Sequence, residues 1–282
     1  MTHFAAIILG LVEGLTEFIP VSSSGHLLIA HKLLGQNLVG TLSFDAIIQL
    51  ATSCALLVYF WRDILQILKT TWFFVCRRPI EPKDRTLLYA IFFGTLPAVF
   101  LGLLLEKSMD TIFRNISLVA LTLLFGSLLL WYGQKKYFSN YHKTEDINSR
   151  QPQGFLSEKV LTVKRGVIIG FYQCLALLPG VSRSGATISG GLISGLSQEE
   201  ATRFSFLLSI PILFGAGLKK VFEVRNELFS ANFISPIILG SLVAFISGLF
   251  SISFLIKYLK THNLNVFIWY RVVLAIVLFL VF

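Results

Sequence analysis

Two long stretches of the chain, residues 86–105 and 116–134, contain no charged residue. A helix that crosses a membrane needs about 20 predominantly apolar residues, so both stretches are predicted to be membrane spans. Only 14% of the 282 residues are charged and the mean hydropathy is +0.75, whereas soluble domains carry about 25% charged residues. This composition excludes a cytosolic enzyme, a disordered protein and a nucleic-acid-binding protein. It predicts an all-α polytopic membrane protein.

Other apolar segments bring the predicted number of spans to about six. These further segments are 44–61, 201–218, 228–256 and 263–282. Two more apolar regions, 4–34 and 160–195, are each interrupted by a polar turn. Irregular backbone at membrane depth is tolerated only where it is buried in protein or lines a wet cavity. Both regions are therefore predicted to be re-entrant helical hairpins, which enter and leave the membrane on the same side.

The distribution of basic residues predicts the orientation of the chain. Loops 62–85, 135–165 and 257–262 lie on one side in this topology and contain 6, 7 and 2 Lys or Arg residues, against 6 in the loops of the opposite side. Cytoplasmic loops are enriched in Lys and Arg. The first side is therefore predicted to be cytoplasmic, with both termini on the outer, periplasmic side.

The two hairpins resemble each other at an offset of 160 residues. Glu13 aligns with Gln173, and Ser22 aligns with Ser182. Because the hairpins enter from opposite sides, this match predicts an inverted repeat, in which sites form near the midplane where the broken elements meet. We expect a single membrane domain of residues 1–282, divided into a first half, a basic cytoplasmic loop and a second half at approximately 1–135, 136–159 and 160–282.

The first hairpin carries two carboxylates, Glu13 and Glu17, in the segment EGLTEFIPVSSSGH. On a helix they lie one turn apart on the same face, and a charge at the bilayer centre costs at least ~2.5–3.5 kcal/mol. A cation, a proton or water must offset that cost. The pair is expected to bind a hard divalent cation, Mg²⁺ or Ca²⁺, through oxygen ligands or to act as a general base. The alternative is a helix end with both carboxylates in solvent.

The second hairpin contains the turn PGVSRSGAT, residues 179–187. Pro-Gly breaks the preceding helix, and the N–H groups at the start of the next helix suit phosphate oxygens. Arg183 adds a fork of donors for a phosphate. Packing of small residues between membrane helices would explain the glycines and serines, but it does not explain an arginine.

Together the two turns supply the groups needed for phosphoryl transfer or hydrolysis, in which positioning and charge neutralisation dominate. His26 follows the Ser-Ser-Ser-Gly turn closely, which favours a functional role over that of a core histidine. Asp45 and Arg271 lie near predicted span ends, where charges can reach solvent, and exposure is favoured over the alternative of a supporting role in the site. Gln49 lies deeper and is expected to line the cavity.

The first hairpin contains the pair E-x-x-x-E followed by P-V-S-S-S-G-H, and the second contains P-G-V-S-R-S-G-A-T. With these motifs the chain resembles the undecaprenyl-diphosphate phosphatase family, the bacitracin-resistance phosphatases of bacteria. The resemblance extends along essentially the whole chain and includes the run FSFLLSIP at residues 204–211. It implies an inner-membrane hydrolase that removes one phosphate from undecaprenyl diphosphate. The product, undecaprenyl phosphate, is the lipid carrier that peptidoglycan synthesis reuses. The same resemblance implies bacitracin resistance and an active site that opens towards the periplasm.

The resemblance also implies roles for individual residues. Glu13 and Glu17 match the essential carboxylates, which we also expect to bind the divalent cation, and Arg183 matches the diphosphate-binding arginine. Ser23 and His26 match the nucleophile and the base. The remaining predicted substrate-binding residues are Ser22, Ser24, Ser182, Ser184 and Thr187. The expected partners are a polyprenyl diphosphate lipid and membrane lipids, with a homodimer left open and no nucleic acid.

The sequence leaves the nucleophile and one alternative function open, and it excludes one other class of phosphatase. The sequence does not decide whether Ser23 or His26 is the nucleophile. A transporter or lipid flippase is the main alternative function, because secondary transporters share the inverted-repeat architecture. Another class of membrane lipid phosphatases with a Ser-Gly-His triplet is rejected, since it needs a second histidine soon after its Ser-Arg and none occurs here between Arg183 and His262.

Overall fold

Every regular element in the computed structural model is a helix within the residues it describes, which are 1–36, 38–112, 116–143, 161–223, 225 and 231–281. The predicted all-α class is confirmed. The eleven helices of these residues are α1 His3–Thr16, α2 Ser23–Leu33, α3 Leu38–Tyr59, α4 Trp61–Val75, α5 Pro82–Ile112, α6 Ile116–Lys143, α7 Val163–Leu175, α8 Arg183–Ile193, α9 Gln198–Glu223, α10 Ala231–Tyr258 and α11 Asn265–Val281.

Four helices are long and apolar enough to cross a membrane, which makes this a multi-pass membrane protein. They are Pro82–Leu105, Ile116–Ser139, Gln198–Glu223 and Ile234–Tyr258. A fifth span results if Ser43–Tyr59 and Trp61–Val75, which meet at a bend of 83°, count as one. The predicted sixth span corresponds to α11, whose 17 residues extend about 25 Å and fall short of the ~30 Å hydrocarbon core.

Two predicted loops are partly helical. Residues 62–85 were expected to be a cytoplasmic loop, yet most of α4 lies within them. Ile64 and Ile67 on this helix pack against the core, and its exposed side carries Lys69 together with Leu65 and Trp72. Because charged residues interrupt its apolar residues, no continuous apolar run marks the helix in the sequence. Helix α6 continues to Lys143, past the predicted start of the basic loop 136–159, and residues 144–160 lie outside the described residues.

Both predicted hairpins form a helix, a turn and a second helix, and their turns have the same local geometry. Ser22 and Ser182 precede the second helices with positive φ angles of 78° and 70°, a conformation that is costly for a residue with a Cβ. The Ser22 hydroxyl accepts a hydrogen bond from the Gly25 N–H at 3.3 Å, and the Ser182 hydroxyl accepts one from the Gly185 N–H at 3.2 Å. Each serine therefore caps its helix. The orientation of the hairpins in a membrane stays a prediction.

Each hairpin packs against a long helix from the other half of the chain. Helix α1 lies on α10, where a side chain at Gly10 would overlap the carbonyl oxygen of Gly240. Helix α7 lies on α5, where a side chain at Gly170 would overlap the carbonyl oxygen of Gly94. We call this packing of each hairpin on the other half of the chain crosswise packing. Because glycines lie at both crossings, no side chain separates the helices and they approach closely. The crosswise packing brings the two turns together in the interior of the fold.

Candidate active site

The two polar turns contact each other directly. The Gly180 N–H of the second turn donates to the Ser24 hydroxyl of the first at 3.3 Å. In the other direction, the Ser184 hydroxyl donates to the Ile19 carbonyl oxygen at 3.4 Å. The residues singled out in two distant segments of the sequence therefore form one site.

Glu17 is the link between the two motifs. Its Oε2 accepts a hydrogen bond from the Ser23 hydroxyl at 2.6 Å, and its Oε1 accepts one from Arg183 Nη2 at 3.1 Å. Only 4% of the Glu17 side chain and 11% of the Arg183 side chain are exposed. A carboxylate that accepts the proton of a serine hydroxyl is positioned to activate that serine as a nucleophile.

Arg183 keeps donors available after its contact with Glu17. Its Nε and Nη1 atoms are buried and have no hydrogen-bond partner among the described residues. A guanidinium group carries five N–H donors in a planar fork that matches phosphate geometry. Since Nη2 is fixed by Glu17, the Nε and Nη1 donors are held in place for an anionic ligand.

Glu13 is a buried carboxylate without a partner. It is 1% exposed, and neither of its oxygens has a hydrogen-bond partner among the described residues. The alternative interpretation, in which Glu13 and Glu17 both lie in solvent, is wrong because both residues are buried, with 1% of Glu13 and 6% of Glu17 exposed. A charged carboxylate is very costly in such a place unless a cation or a proton neutralises it.

Whether a divalent cation fits this site depends on which carboxylate oxygens are available to bind it. The described residues contain no cluster of three or more His, Cys, Asp or Glu side chains arranged to hold a metal ion. Both Glu17 oxygens are already bonded to Ser23 and Arg183, so the free oxygens belong to Glu13. Mg²⁺ is often held by one or two carboxylates together with substrate phosphates and water, and Glu13 fits that pattern.

His26 is bonded through both ring nitrogens. Nδ1 lies 2.7 Å from the Ser22 carbonyl oxygen, and Nε2 lies 2.6 Å from the Tyr270 hydroxyl. The His26 and Tyr270 rings are stacked, with centroids 5.6 Å apart. Because the Ser22 carbonyl only accepts, Nδ1 donates, and in the neutral imidazole Nε2 therefore accepts from the Tyr270 hydroxyl. Tyr270 could not be predicted from the sequence, since one tyrosine in an apolar helix gives no signal.

The predicted substrate-binding serines lie in the two turns but are bonded to the protein. Ser22 and Ser182 cap helices α2 and α8, as described above. The hydroxyl pairs Ser22–Ser24 and Ser182–Ser184 are each 3.2 Å apart. These hydroxyls maintain the shape of the turns.

Thr187 is also part of this internal network. It is fully buried, donates to the Arg183 carbonyl oxygen at 2.8 Å and shares a hydrogen bond with the Ser205 hydroxyl at 2.5 Å. Thr187 therefore connects the first turn of α8, which carries Arg183, to α9.

The sequence also predicts whether three further polar residues, Asp45, Arg271 and Gln49, reach solvent or line the cavity. Asp45 was expected to reach solvent, but its side chain is 19% exposed and its carboxylate is bonded to the buried His31 at 2.8 and 3.0 Å. Arg271 was also expected to reach solvent, and that expectation is wrong because it is fully buried among backbone oxygens. The predicted place of Gln49 in a cavity stays a prediction.

The chain is similar in sequence to known proteins. The family model described as bacitracin resistance protein BacA matches residues 6–277. The chain belongs to this family. Among similar BacA-type sequences, the undecaprenyl-diphosphatase of Chloroherpeton thalassium is 41% identical, over 99% of this chain and 96% of that protein. The undecaprenyl-diphosphatase of Chlorobium chlorochromatii is 39% identical, over 98% and 95%. That of Arthrobacter sp. is 37% identical, over 98% and 93%.

Proposed function

We propose that this BacA family member is an undecaprenyl-diphosphate phosphatase. It hydrolyses undecaprenyl diphosphate to undecaprenyl phosphate and inorganic phosphate, recycles the lipid carrier for peptidoglycan synthesis and confers bacitracin resistance. The observation that carries the proposal is the contact of Glu17 with both Ser23 and Arg183. The names of the similar proteins support the choice of substrate.

In the proposed reaction, the free Nε and Nη1 donors of Arg183 bind the diphosphate. Ser23 Oγ attacks the terminal phosphorus while Glu17 accepts the hydroxyl proton. The bond between that phosphorus and the bridging oxygen breaks, and undecaprenyl phosphate leaves with the proton from Glu17. Glu17 then takes a proton from water, which attacks the phosphorus of the phosphoserine. The bond between that phosphorus and Ser23 Oγ breaks, Glu17 returns the proton to Ser23 Oγ, and inorganic phosphate is released. A positioned base of this kind contributes roughly 10²- to 10⁴-fold to a rate.

Glu13 is the proposed cation ligand, together with substrate phosphate oxygens and water. Bound Mg²⁺ or Ca²⁺ would supply neutralisation of the phosphate charge. The support is the pair of buried Glu13 oxygens without a partner among the described residues. Glu17, the second predicted ligand, is better explained as the base because Ser23 and Arg183 already occupy both of its oxygens.

Ser23 is the proposed nucleophile in preference to His26. The Ser23 hydroxyl contacts a carboxylate, whereas both His26 nitrogens are bonded to Ser22 and Tyr270. A phosphoenzyme trapped on serine is stable to acid and labile to alkali, while one on histidine behaves in the opposite way. Trapping with labelled substrate therefore distinguishes them, and the absence of both would indicate direct attack by water.

The proposed location is the bacterial inner membrane, with both termini and the opening of the site on the periplasmic side. The support is the excess of Lys and Arg in the loops assigned to the cytoplasm. Cys76 offers a direct test, because it is exposed and lies in the predicted cytoplasmic loop 62–85. A membrane-impermeant maleimide should label Cys76 only after the membrane is permeabilised. Assembly as a homodimer stays a prediction.

The decisive experiment is phosphate release from undecaprenyl or farnesyl diphosphate by purified protein in detergent. The wild type should release phosphate, the Arg183→Ala variant should not, and EDTA should suppress the wild-type activity. No release from folded wild type would contradict the proposal. Lipid movement in sealed vesicles by a hydrolysis-inactive variant would then support the transporter alternative.

A further inference from the structure

Arg271 is the one charged residue of α11, in the sequence NVFIWYRVVLAIVLFLV. Its side chain is fully buried. None of the ion pairs between described residues involves it. A buried, unpaired guanidinium is expensive, so a fold that retains one must satisfy its donors in another way.

Neutral oxygens satisfy the guanidinium, and most of them belong to the two active-site turns. Nη1 donates to the Pro20 carbonyl oxygen at 3.1 Å in the first turn. Nη2 donates to the Gly180 and Val181 carbonyl oxygens at 3.1 and 2.8 Å in the second turn. One side chain from the last helix therefore joins both turns, directly before the serines that cap α2 and α8.

Helix α6 provides the remaining contacts and the space for the guanidinium. Nε donates to the Ser127 hydroxyl at 3.2 Å, and Nη2 also donates to the Leu123 carbonyl oxygen at 3.2 Å. A Cβ at Gly126 would overlap Arg271 Nη2, and a Cβ at Gly185 would lie 3.1 Å from Nη1. Glycine at these two positions leaves room for a planar group between the turns.

We propose that Arg271 is a positioning residue that fixes the first turn relative to the second, and so sets the distance between Ser23 and the phosphate held by Arg183. The inference rests on the proposed function. Arg271 faces backbone carbonyl oxygens rather than substrate. Its loss should therefore lower kcat, which depends on alignment of the reacting atoms, and leave KM nearly unchanged.

The first variants are Arg271→Met and Arg271→Lys, assayed for phosphate release per folded molecule. Arg271→Met should lower kcat about 100-fold with KM within about threefold of wild type. Arg271→Lys keeps the charge but not the planar fork, and it should not restore kcat. Wild-type kcat in either variant, or a loss confined to KM, would overturn the proposal.

A milder pair of variants covers the case in which Arg271 substitutions do not fold. Ser127→Ala removes one acceptor of the guanidinium and should lower kcat about tenfold. Ser251→Ala is the matched control, because Ser251 is also a fully buried serine bonded to the carbonyl four residues earlier in its helix. Equal kcat values for the two variants would contradict the proposal.

A second readout does not depend on catalysis. Ser23→Cys is introduced after the native cysteines Cys54, Cys76 and Cys174 are replaced by alanine, and its rate of reaction with a water-soluble thiol reagent is measured. Adding Arg271→Met should free the turn and raise this rate several-fold, whereas an unchanged rate would refute the positioning role. If wild type releases no phosphate, the proposed function fails, and the labelling rate still decides the role of Arg271.

Discussion

Replacing Glu17 by glutamine removes the charge and basicity of the carboxylate while keeping its size. Both groups that contact Glu17 are donors: the Ser23 hydroxyl at 2.6 Å and Arg183 Nη2 at 3.1 Å. A glutamine side chain offers one oxygen and one NH₂ group, so it cannot accept from both. If its oxygen stays with Arg183, its NH₂ group faces Ser23 and the serine loses its base.

The size of the effect follows from these two contacts. Loss of a general base costs about 10²- to 10⁴-fold in rate, and a hydrogen bond to a charged group contributes about 1.5–3 kcal/mol. We expect kcat to fall about 10³- to 10⁴-fold in Glu17→Gln. KM should stay the same or decrease, because an amide oxygen binds Arg183 Nη2 less strongly than a carboxylate and leaves the charge of the guanidinium for the phosphate.

The assay is steady-state phosphate release from farnesyl diphosphate, normalised to the monodisperse protein recovered after gel filtration. Glu223→Gln is the control, since it alters a half-exposed carboxylate bonded to Lys220, and it should match the wild type. A Glu17→Gln variant with kcat within tenfold of wild type would refute the assignment of Glu17 as the base. A loss confined to KM would show that Glu17 serves binding instead.

Other substitutions test separate parts of the site. Ser23→Ala should abolish the trapped phosphoenzyme and lower phosphate release at least 10³-fold; retained release would indicate attack by water. Glu13→Gln should abolish stimulation by Mg²⁺ or Ca²⁺ after EDTA treatment, and a normal metal titration would exclude Glu13 as the ligand. Tyr270→Phe removes the hydroxyl on His26 but keeps the stacked ring, so activity should fall less than about tenfold. Gly170→Ala should destabilise the protein by about 1–3 kcal/mol, measured as a lower unfolding temperature than that of Gly102→Ala, whose added Cβ meets only Leu177 at 3.7 Å.

The hairpins and most of the long helices could be predicted because their signals are local. A polar turn inside an apolar region identified each hairpin, and uninterrupted apolar runs identified α5 and α6. Helix α4 was missed because it is amphipathic, and its bend of 83° relative to Ser43–Tyr59 depends on packing that no local pattern encodes.

The residues of the site were predictable, but their pairing was not. Glu17, Ser23 and Arg183 were identified from their motifs, yet the contact between Glu17 and Arg183 joins residues 166 positions apart. Tyr270 and Arg271 reach the turns from α11, where the surrounding apolar sequence indicated only a span. Contacts made across the whole chain are set by tertiary packing and leave no periodic pattern in the sequence.

The crosswise packing of the hairpins has a consequence for biosynthesis. Helix α1 packs against α10, which begins at Ala231, about 230 residues later in translation. At about 5–20 residues per second, α1 therefore waits roughly 10 to 50 s for the helix on which it packs. During that interval water, a cation or a proton must offset the charge of Glu13. On the positioning role proposed for Arg271, the two turns are fixed relative to each other only when this residue has emerged, so the nascent chain should have little activity until its final helix is in place.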